Sequence, residues 1–329
     1  MIGLCVPKMI INLKDILTIA DNDNIAIGAF NTPNLECINA VIDAAERLNV
    51  PVIISHAELH EDVAPLAKIG PVMVQAAKAA KVPVCVHLDH CETLSYMKQA
   101  LELGFTGVMY DGSTLPYEEN LKNTKKAVAI ASKYNCGVEA ELGAMAAREG
   151  GEAASGQTAV GEGVRAVAAA GKAMAGEGVR AVTAAGKAMA GKGRPFAPTG
   201  PVYTDPDEAV EFCKETQIDA LAPSFGTAHG IYKNKPILDF ERVKEISIRT
   251  GLPLVMHGGS GVSPEDYRKG IECGLRKINY YSYMAKAGTQ AVKELLAKGN
   301  VTFFHDLALA AEKAMSADAE KAMRIFAGL

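Results

Sequence analysis

Three of the seven histidines in this 329-residue chain lie at the ends of β-rich runs, where an imidazole can bind a metal ion. They are His90, His229 and His257. Three imidazoles on converging strands are a ligand set of catalytic Zn²⁺, which keeps a fourth coordination position open for substrate. The alternative is that each histidine completes a separate buried polar network. Because Asp89 and Glu141 accompany all three, we favour the metal site.

Three other histidines are predicted to lie outside this site. His60 and His305 fall in helical segments and are predicted to be surface residues, whereas His87 lies inside a β-rich run and is predicted to face the barrel interior.

A glycine-rich turn gives the second chemical signal. Gly258, Gly259, Ser260 and Gly261 follow a β-rich run and lead into a helix that begins at Pro264, with Ser263 as its predicted N-cap. Backbone N–H groups of such a loop at a helix N-terminus bind anions, and barrel enzymes often bind phosphate after strands seven and eight. The loop therefore predicts a phosphate site, to which Ser282 could add a hydroxyl.

Eight β-rich runs alternate with helical segments, the pattern of βα units around a parallel sheet. We predict a single α/β domain over residues 1–329, a (β/α)8 TIM barrel with a C-terminal helix at 304–325. An open sheet would need a glycine-rich first turn for a nucleotide, and the first turn here reads FNTPN. The predicted strands are 25–31, 51–56, 83–90, 107–111, 137–143, 220–225, 253–257 and 277–281, and predicted helices include 34–48, 117–133, 206–216, 240–250 and 264–273.

One segment interrupts this alternation between strands five and six. Residues 161–175 and 176–190 form a tandem repeat whose copies differ only at Ala168 and Thr183. The repeat is rich in alanine and glycine and lacks the bulky residues of a core. We expect an inserted, mobile loop over 153–201 rather than a functional lid.

Polar residues collect where the predicted strands end, which is the catalytic face of such barrels. An even spread would indicate a scaffold, so this clustering indicates a built site. The residues are Asn31, Ser55, His56, Asp89, His90, Asp111, Glu139, Glu141, His229, His257, Asn279 and Ser282.

Composition excludes several classes of protein. A net charge of −4 with scattered lysine and arginine does not favour nucleic acid, and no apolar stretch is long enough for a membrane span. The N-terminus lacks a secretory signal pattern, and seven widely spaced cysteines form no CxxC pair. We expect a cytoplasmic protein with reduced thiols and a small-molecule substrate.

Several spaced motifs occur in a characteristic order: VHLDH at 86–90, VEAELG at 138–143, GTAHG at 226–230, MHGGSG at 256–261 and KIN at 277–279. The chain resembles the class II, metal-dependent ketose-bisphosphate aldolases, the family of fructose- and tagatose-bisphosphate aldolases. The resemblance covers the chain apart from about 153–201. It implies aldol cleavage of a ketose 1,6-bisphosphate to dihydroxyacetone phosphate and glyceraldehyde 3-phosphate through a zinc-stabilised enediolate.

The resemblance also implies residue roles. His90, His229 and His257 match the zinc ligands, Glu141 and Asp111 match carboxylates at the metal, and Asp89 matches the residue that exchanges a proton with the aldehyde-derived oxygen. Glu149, eight residues past Glu141, matches the mobile-loop glutamate that moves a proton at carbon. The triose and its phosphates would be held by Asn31, Ser55, Gly230, Lys233, Gly258, Gly259, Ser260, Gly261, Asn279 and Ser282.

Family members also bring expectations of a homodimer or homotetramer and of a monovalent cation near the phosphate. The sequence departs from the family pattern at Ala146 and Ala147, which replace the hinge glycines, at Thr114, and at Tyr280 and Tyr281.

Other functions stay open at this point. A Schiff-base aldolase needs a desolvated lysine inside the barrel. Lys277 is expected at the wrong end of strand eight, and Lys233 is expected in a loop, so the metal route is favoured. The alternatives are an aldolase of another phosphorylated ketose, a metal-dependent hydrolase, and a non-catalytic sugar-phosphate sensor that uses the repeats as a binding arm.

Overall fold

Eight parallel strands close into a barrel in the computed structural model, which describes residues 9–143 and 203–329. The strands pair in sequence order, and β1 closes the barrel on β8 through Ala29 and Asn279. The predicted (β/α)8 barrel is confirmed. The strands are β1 Ile27–Asn31, β2 Val52–Ala57, β3 Val84–Cys91, β4 Gly107–Tyr110, β5 Gly137–Leu142, β6 Ala220–Pro223, β7 Leu254–Met256 and β8 Leu275–Asn279.

Helices lie between the strands, as predicted, and a long C-terminal helix follows. Within the described ranges the α-helices are α1 Leu13–Asn22, α2 Leu35–Leu48, α3 Leu66–Ala79, α4 Leu94–Leu103, α5 Tyr117–Ala131, α6 Pro206–Thr216, α7 Phe240–Thr250, α8 Pro264–Glu272, α9 Ser282–Ala297 and α10 Phe304–Ala327. Two short 3₁₀ helices, Glu58–His60 and Ser132–Tyr134, follow β2 and α5. None of the helices in these ranges has the length and apolar character needed to cross a membrane.

Local sequence signals explain where several helices start. Asn34, Asp205 and Ser263 each accept a backbone hydrogen bond at a helix N-terminus, and proline follows the last two. Such caps satisfy N–H groups that have no partner within the helix. The cap predicted at Ser263 is therefore confirmed, and Asp205 caps α6 in the same way.

Helix α1 closes the N-terminal end of the barrel. Its buried residues Leu13, Ile16 and Leu17 pack with interior residues such as Ile53 and Val255. Gly137 begins β5 beneath this helix, and a Cβ there would lie 2.9 Å from the Leu13 Cβ atom. The apolar seal leaves the C-terminal end of the barrel as the place for polar chemistry.

The larger apolar core lies between the barrel and its outer helices. Phe30, Phe212, Phe225 and Phe326 are fully buried there, and α10 packs against α2 and α9. All six cysteines in the described part of the chain are free thiols. This core fixes the directions of the strands and so the positions at which they end.

One strand boundary that matters for the site differs from the sequence prediction. Strand β8 begins at Leu275, two residues before the predicted start, so Lys277 lies in the middle of the strand. The predicted insertion at 153–201, with its tandem repeat, lies outside the described residues. So do Glu149 and the hinge positions Ala146 and Ala147.

Candidate metal centre and active site

The end of β3 supplies two adjacent polar residues to one site. Neighbouring residues of a regular strand point to opposite faces. Here the pairing register with β4 shifts between Leu88 and Cys91, and His90 has a φ of 45°. A bulge of this kind re-aims a side chain. Asp89 and His90 can therefore both contribute to the site at the C-terminal face.

Three imidazoles, one from β3 and two from the residues that follow β6 and β7, converge at this face. We call His90, His229 and His257 the metal-facing histidines. Nε2 of His90 lies 3.1 Å from Nε2 of His229 and 2.9 Å from Nδ1 of His257. His257 is buried, and the other two rings are half-buried. The structure thus brings together the three predicted zinc ligands.

Carboxylates on the far side of two rings fix their tautomers. Nδ1 of His90 lies 2.7 Å from Oδ2 of Asp111, and Nε2 of His257 lies 2.7 Å from Oε1 of Glu139. Because a carboxylate only accepts hydrogen bonds, each neutral ring carries its proton on the nitrogen facing the carboxylate. The nitrogens of His90 and His257 that face each other are then both lone pairs.

Two lone pairs 2.9 Å apart repel each other unless a proton or a metal ion lies between them. Burial lowers the pKa of His90, but Asp89 and Asp111 outweigh burial and raise that pKa to about 10. Surroundings that favour a proton on this ring also favour a divalent ion next to it. The donor set therefore fits a metal of the kind that imidazoles bind, and each backing carboxylate orients its ligand.

A second group with ligand spacing shares His90. Its other members are Asp111 and Glu141. Burial, followed by the charge of Asp111, raises the pKa of Glu141 well above its usual range, and one Glu141 oxygen has no hydrogen-bond partner in the described residues. Glu141 and Asp111 thus lie where the sequence predicted them, beside the metal-facing histidines.

Asp89 is a buried acidic residue at the same face of the barrel. It is 2% exposed, and its Oδ1 accepts from Nδ2 of Asn279 at 3.1 Å. Burial alone would raise its pKa, but His90, Lys277 and His257 lower it to a value below the usual range. The side chain is therefore a carboxylate at neutral pH.

A layer of charged side chains lies beneath the metal-facing histidines. It includes Lys277, whose position in β8 differs from the one predicted from the sequence. Lys277 is fully buried, with Nζ 2.9 Å from Oε2 of Glu139 and 2.7 Å from Oδ1 of Asn279. The expectation that Lys277 lies at the wrong end of β8 is therefore wrong. Residues two apart on a strand share a face, so the inward Asn279 was a signal that Lys277 also points inward.

His87 and Glu139 complete this layer. His87 is fully buried, as predicted for an interior histidine, and burial together with Lys277 lowers its pKa to about 3. The sequence places Glu139 at a strand end but gives no sign of its contact with a metal-facing histidine. Its contact with His257 joins β5 to the residue that follows β7, two strands that are not neighbours in the sheet, and no local pattern reveals that contact.

The glycine-rich loop follows β7 as predicted. Gly258 has a φ of 64°, and a Cβ there would lie 2.3 Å from the carbonyl oxygen of Ala228. Ser260 is buried, and its Oγ accepts hydrogen bonds from the backbone N–H groups of Tyr281 and Ser282 at 3.0 Å. The loop is therefore fastened to the N-terminus of α9, and Gly259 donates to the carbonyl of Asn279.

The remaining predicted binding residues are spread around the mouth of the barrel. Asn31 and Ser55 are register partners on β1 and β2, Gly230 lies one residue past His229, and Ser282 starts α9. Lys233 is exposed and makes no hydrogen bond or ion pair with another described residue. The structure thus brings most of the predicted site together but leaves Lys233 outside the bonded network.

A second pair of histidines lies near β2; we call His56 and His60 the β2 histidines. His60 is half-buried, with its ring 6.5 Å from that of His56 and 5.7 Å from that of Tyr281. The prediction that His60 is a surface residue is therefore wrong, whereas His305 is exposed as predicted. A short 3₁₀ helix looks like surface in sequence, but this one lies over the barrel mouth.

A closed (β/α)8 barrel with converging imidazoles at its C-terminal face defines a class, the barrel enzymes that work with a bound metal ion. The model of the family described as "Fructose-bisphosphate aldolase class-II" matches residues 11–328 of the sequence. The chain belongs to the class-II fructose-bisphosphate aldolase family, and it is accordingly an aldolase, a carbon–carbon lyase.

Named relatives support this assignment. A fructose-bisphosphate aldolase of Staphylococcus aureus is 32% identical over 291 residues, which cover 87% of this chain and 86% of the relative. One from Geobacillus stearothermophilus is 35% identical over 292 residues, covering 88% and 86%.

Solved structures agree with the assignment. The YdjI aldolase from Escherichia coli K12 superposes with a TM-score of 0.75 at 30% identity, over 96% of this chain and 97% of that one. A putative fructose-1,6-bisphosphate aldolase from Coccidioides immitis gives 0.74 at 28% identity, over 96% of each chain.

Proposed function

We propose that this aldolase cleaves, and in reverse forms, the C3–C4 bond of a ketose 1,6-bisphosphate, with Zn²⁺ held by the metal-facing histidines. The products are dihydroxyacetone phosphate and glyceraldehyde 3-phosphate. The observation that carries the proposal is the convergence of imidazole nitrogens at 2.9 and 3.1 Å beside the buried carboxylate of Asp89. Fructose 1,6-bisphosphate and its C4 epimer tagatose 1,6-bisphosphate are the two candidate substrates.

A metal held by the metal-facing histidines would supply Lewis acidity and so stabilise negative charge at the ketone oxygen. Asp89 takes the proton of the C4 hydroxyl, and that oxygen becomes the aldehyde carbonyl. The electron pair of the C3–C4 bond passes to the dihydroxyacetone phosphate fragment, which a proton then neutralises at carbon. We assign that protonation to Glu149, which lies outside the described residues.

The first step requires Asp89 to be ionised, because only the carboxylate can accept a proton. The carboxylate is ionised before substrate binds, and Asn279 holds one of its oxygens. A general base must reach the proton that it removes, and the adjacent ligand His90 keeps Asp89 next to the metal. Glu141 and Asp111 complete the carboxylate surroundings.

The phosphate of the ketone half is assigned to the loop Gly258, Gly259, Ser260 and Gly261. Its backbone geometry and its attachment to the N-terminus of α9 suit an anion. Asn31, Ser55, Gly230, Lys233, Asn279 and Ser282 are assigned to the sugar hydroxyls and phosphates.

The test is a coupled assay for triose-phosphate release from both sugars by the full chain, before and after chelation. We expect cleavage that chelation abolishes and zinc restores, and Asp89→Asn should bind zinc normally while losing activity. Zinc-loaded protein that cleaves neither sugar would contradict the proposal and point to another phosphorylated ketose or to a sensor.

The oligomeric state and a bound monovalent cation belong to the same proposal. We expect a homodimer or homotetramer and a monovalent cation near the phosphate, as in the family. Sedimentation at several protein concentrations tests the first, and activity in potassium against tetramethylammonium salts tests the second.

A further inference from the structure

A chain of hydrogen bonds runs through the barrel interior from β5 to Asp89. Nζ of Lys277 pairs with Glu139 at 2.9 Å and donates to Oδ1 of Asn279 at 2.7 Å. Nδ2 of Asn279 then donates to Oδ1 of Asp89 at 3.1 Å. Lys277 and Glu139 are fully buried, so water does not compete for these bonds.

The chemistry of the two neighbours decides which way the Asn279 amide faces. An ammonium group only donates hydrogen bonds and a carboxylate only accepts them. The amide oxygen must therefore face Lys277, and the NH₂ group must face Asp89. The second neighbour of Nδ2 is Nδ1 of His257, at 3.4 Å, which the tautomer leaves without a proton.

A reversed amide would place its oxygen against the Asp89 carboxylate and against the lone pair of His257. Both contacts are repulsive, and the two hydrogens of Nδ2 would then face the ammonium. The buried lysine thus makes one orientation of Asn279 favourable and the other costly.

We propose that Lys277 is a positioning residue for the aldol reaction: it holds the Asn279 amide so that an N–H donor faces Asp89 and the substrate oxygens. The inference rests on the proposed function for the reaction itself, since Asn279 lies beside the proposed base and a metal ligand. The orientation of the amide follows from the interior contacts alone.

The competing explanation is that Lys277 only neutralises Glu139. Removing one member of a buried ion pair leaves the other charge uncompensated and is strongly destabilising, so a single substitution would not separate the two explanations. Both charges must be removed together.

Two double variants differ in one hydrogen-bond donor. Glu139→Gln with Lys277→Gln keeps an N–H group that can donate to Asn279, whereas Glu139→Gln with Lys277→Met does not. The two have the same charge and nearly the same size, and in both, Gln at 139 can still accept from Nε2 of His257. A surface pair, Lys81→Met with Glu46→Gln, removes a 2.9 Å ion pair far from the site and serves as the control.

We expect the variant with Met at 277 to have a kcat/KM on the order of 10- to 100-fold below the variant with Gln, at equal zinc affinity in chelator competition. Adding Asn279→Ala to both should remove this difference to within about 2-fold, since the donor then has nothing to orient. The surface control should match the unmodified enzyme. Equal rates with Met and Gln, or a difference that persists with Asn279→Ala, would overturn the inference.

A second readout needs no sugar. The side-chain NH₂ signal of Asn279 in a ¹H–¹⁵N spectrum is identified by its loss in Asn279→Ala. It should be sharp and slowly exchanging in the unmodified protein and with Gln at 277, and broadened or shifted with Met. An unchanged signal with Met would refute the inference.

This readout also separates the two proposals. Zinc-loaded enzyme that cleaves no ketose bisphosphate contradicts the proposed function, while the amide signal still decides the role of Lys277. If the double variants do not fold, the unmodified protein still tests the inference: a sharp, slowly exchanging Asn279 amide signal is expected, and a rapidly exchanging one would overturn it.

Discussion

Two histidine clusters lie at the same end of this barrel, yet only one has the chemistry of a metal centre. The rings of the metal-facing histidines have their centroids 4.6 to 5.8 Å apart, and the carboxylates of Asp111 and Glu139 accept from the outer nitrogens of His90 and His257. The lone pairs that remain converge. Charge behind the rings and convergence in front of them together define the site.

The β2 histidines are arranged differently. Tyr96 donates to Glu61 at 2.6 Å, so its oxygen accepts from Nε2 of His56 at 2.9 Å. Nδ1 of His56 and Nδ1 of His60 are buried and have no hydrogen-bond partner within the described residues. His56 thus has the same tautomer as His257, but its lone pair meets no second ligand. A histidine at a strand end can act as a metal ligand only when its unprotonated nitrogen faces the nitrogens or oxygens of other ligands.

Removing a metal-facing ring should give the largest effect. We expect His257→Ala to weaken zinc binding by more than about 100-fold, beyond the range for loss of an outer partner. His56→Gln, in the other cluster, should keep one zinc ion with unchanged affinity. Chelator competition and metal analysis measure both, and zinc loss in His56→Gln would erase the distinction between the clusters.

Neutralising a carboxylate behind a ring should have the next largest effect. Asp111→Asn leaves His90 without its charged acceptor, so zinc affinity should fall about 10- to 100-fold. Tyr96→Phe removes the corresponding partner of His56 and should leave zinc affinity unchanged. Equal affinities for Asp111→Asn and the unmodified protein would show that the carboxylate does not support the site.

Tyr96→Phe should instead lower stability. Nε2–H of His56 loses its acceptor in the interior, and an unsatisfied buried donor costs about 2 kcal/mol of unfolding free energy. Urea unfolding of the zinc-free protein measures this, with the more exposed Tyr134→Phe as the control. A loss equal to that of the control would mean that the hydrogen bond contributes nothing to the fold.

The pH dependence of stability should show the smallest effect. Burial of the ring lowers the pKa of His56 to about 4. Below its ordinary pKa of about 6.5 the unfolded chain binds a proton that the native ring rejects, so stability is full above that pH and falls as the pH drops towards 4. Between about pH 7 and about pH 5.5, His56 should lower the free energy of unfolding by about 1 kcal/mol.

His56→Gln removes this proton uptake. The unfolding free energy of the variant should therefore fall less than that of the unmodified protein over the same interval. Parallel curves for the two proteins would indicate that His56 is not held neutral by the fold.

The sequence by itself determined the barrel and the chemical inventory of its mouth. Alternating β-rich and helical runs define (β/α)8 topology, and Asp205 and Ser263 mark helix starts because capping acts over a few residues. His90, His229 and His257 could be chosen as ligands because parallel strands of a barrel end at one face. These properties depend on local pattern and on a general rule of the fold.

The tertiary structure alone decided the protonation pattern and the directions of the side chains. The proton on His257 is set by Glu139, 118 residues away in the chain, and the amide of Asn279 is set between Lys277 and Asp89. Lys277 was misplaced because the start of β8 depends on its pairing with β7 and β1. Hydrogen-bond partners on different strands carry no signal in either local sequence, so only their packing in the barrel could reveal them.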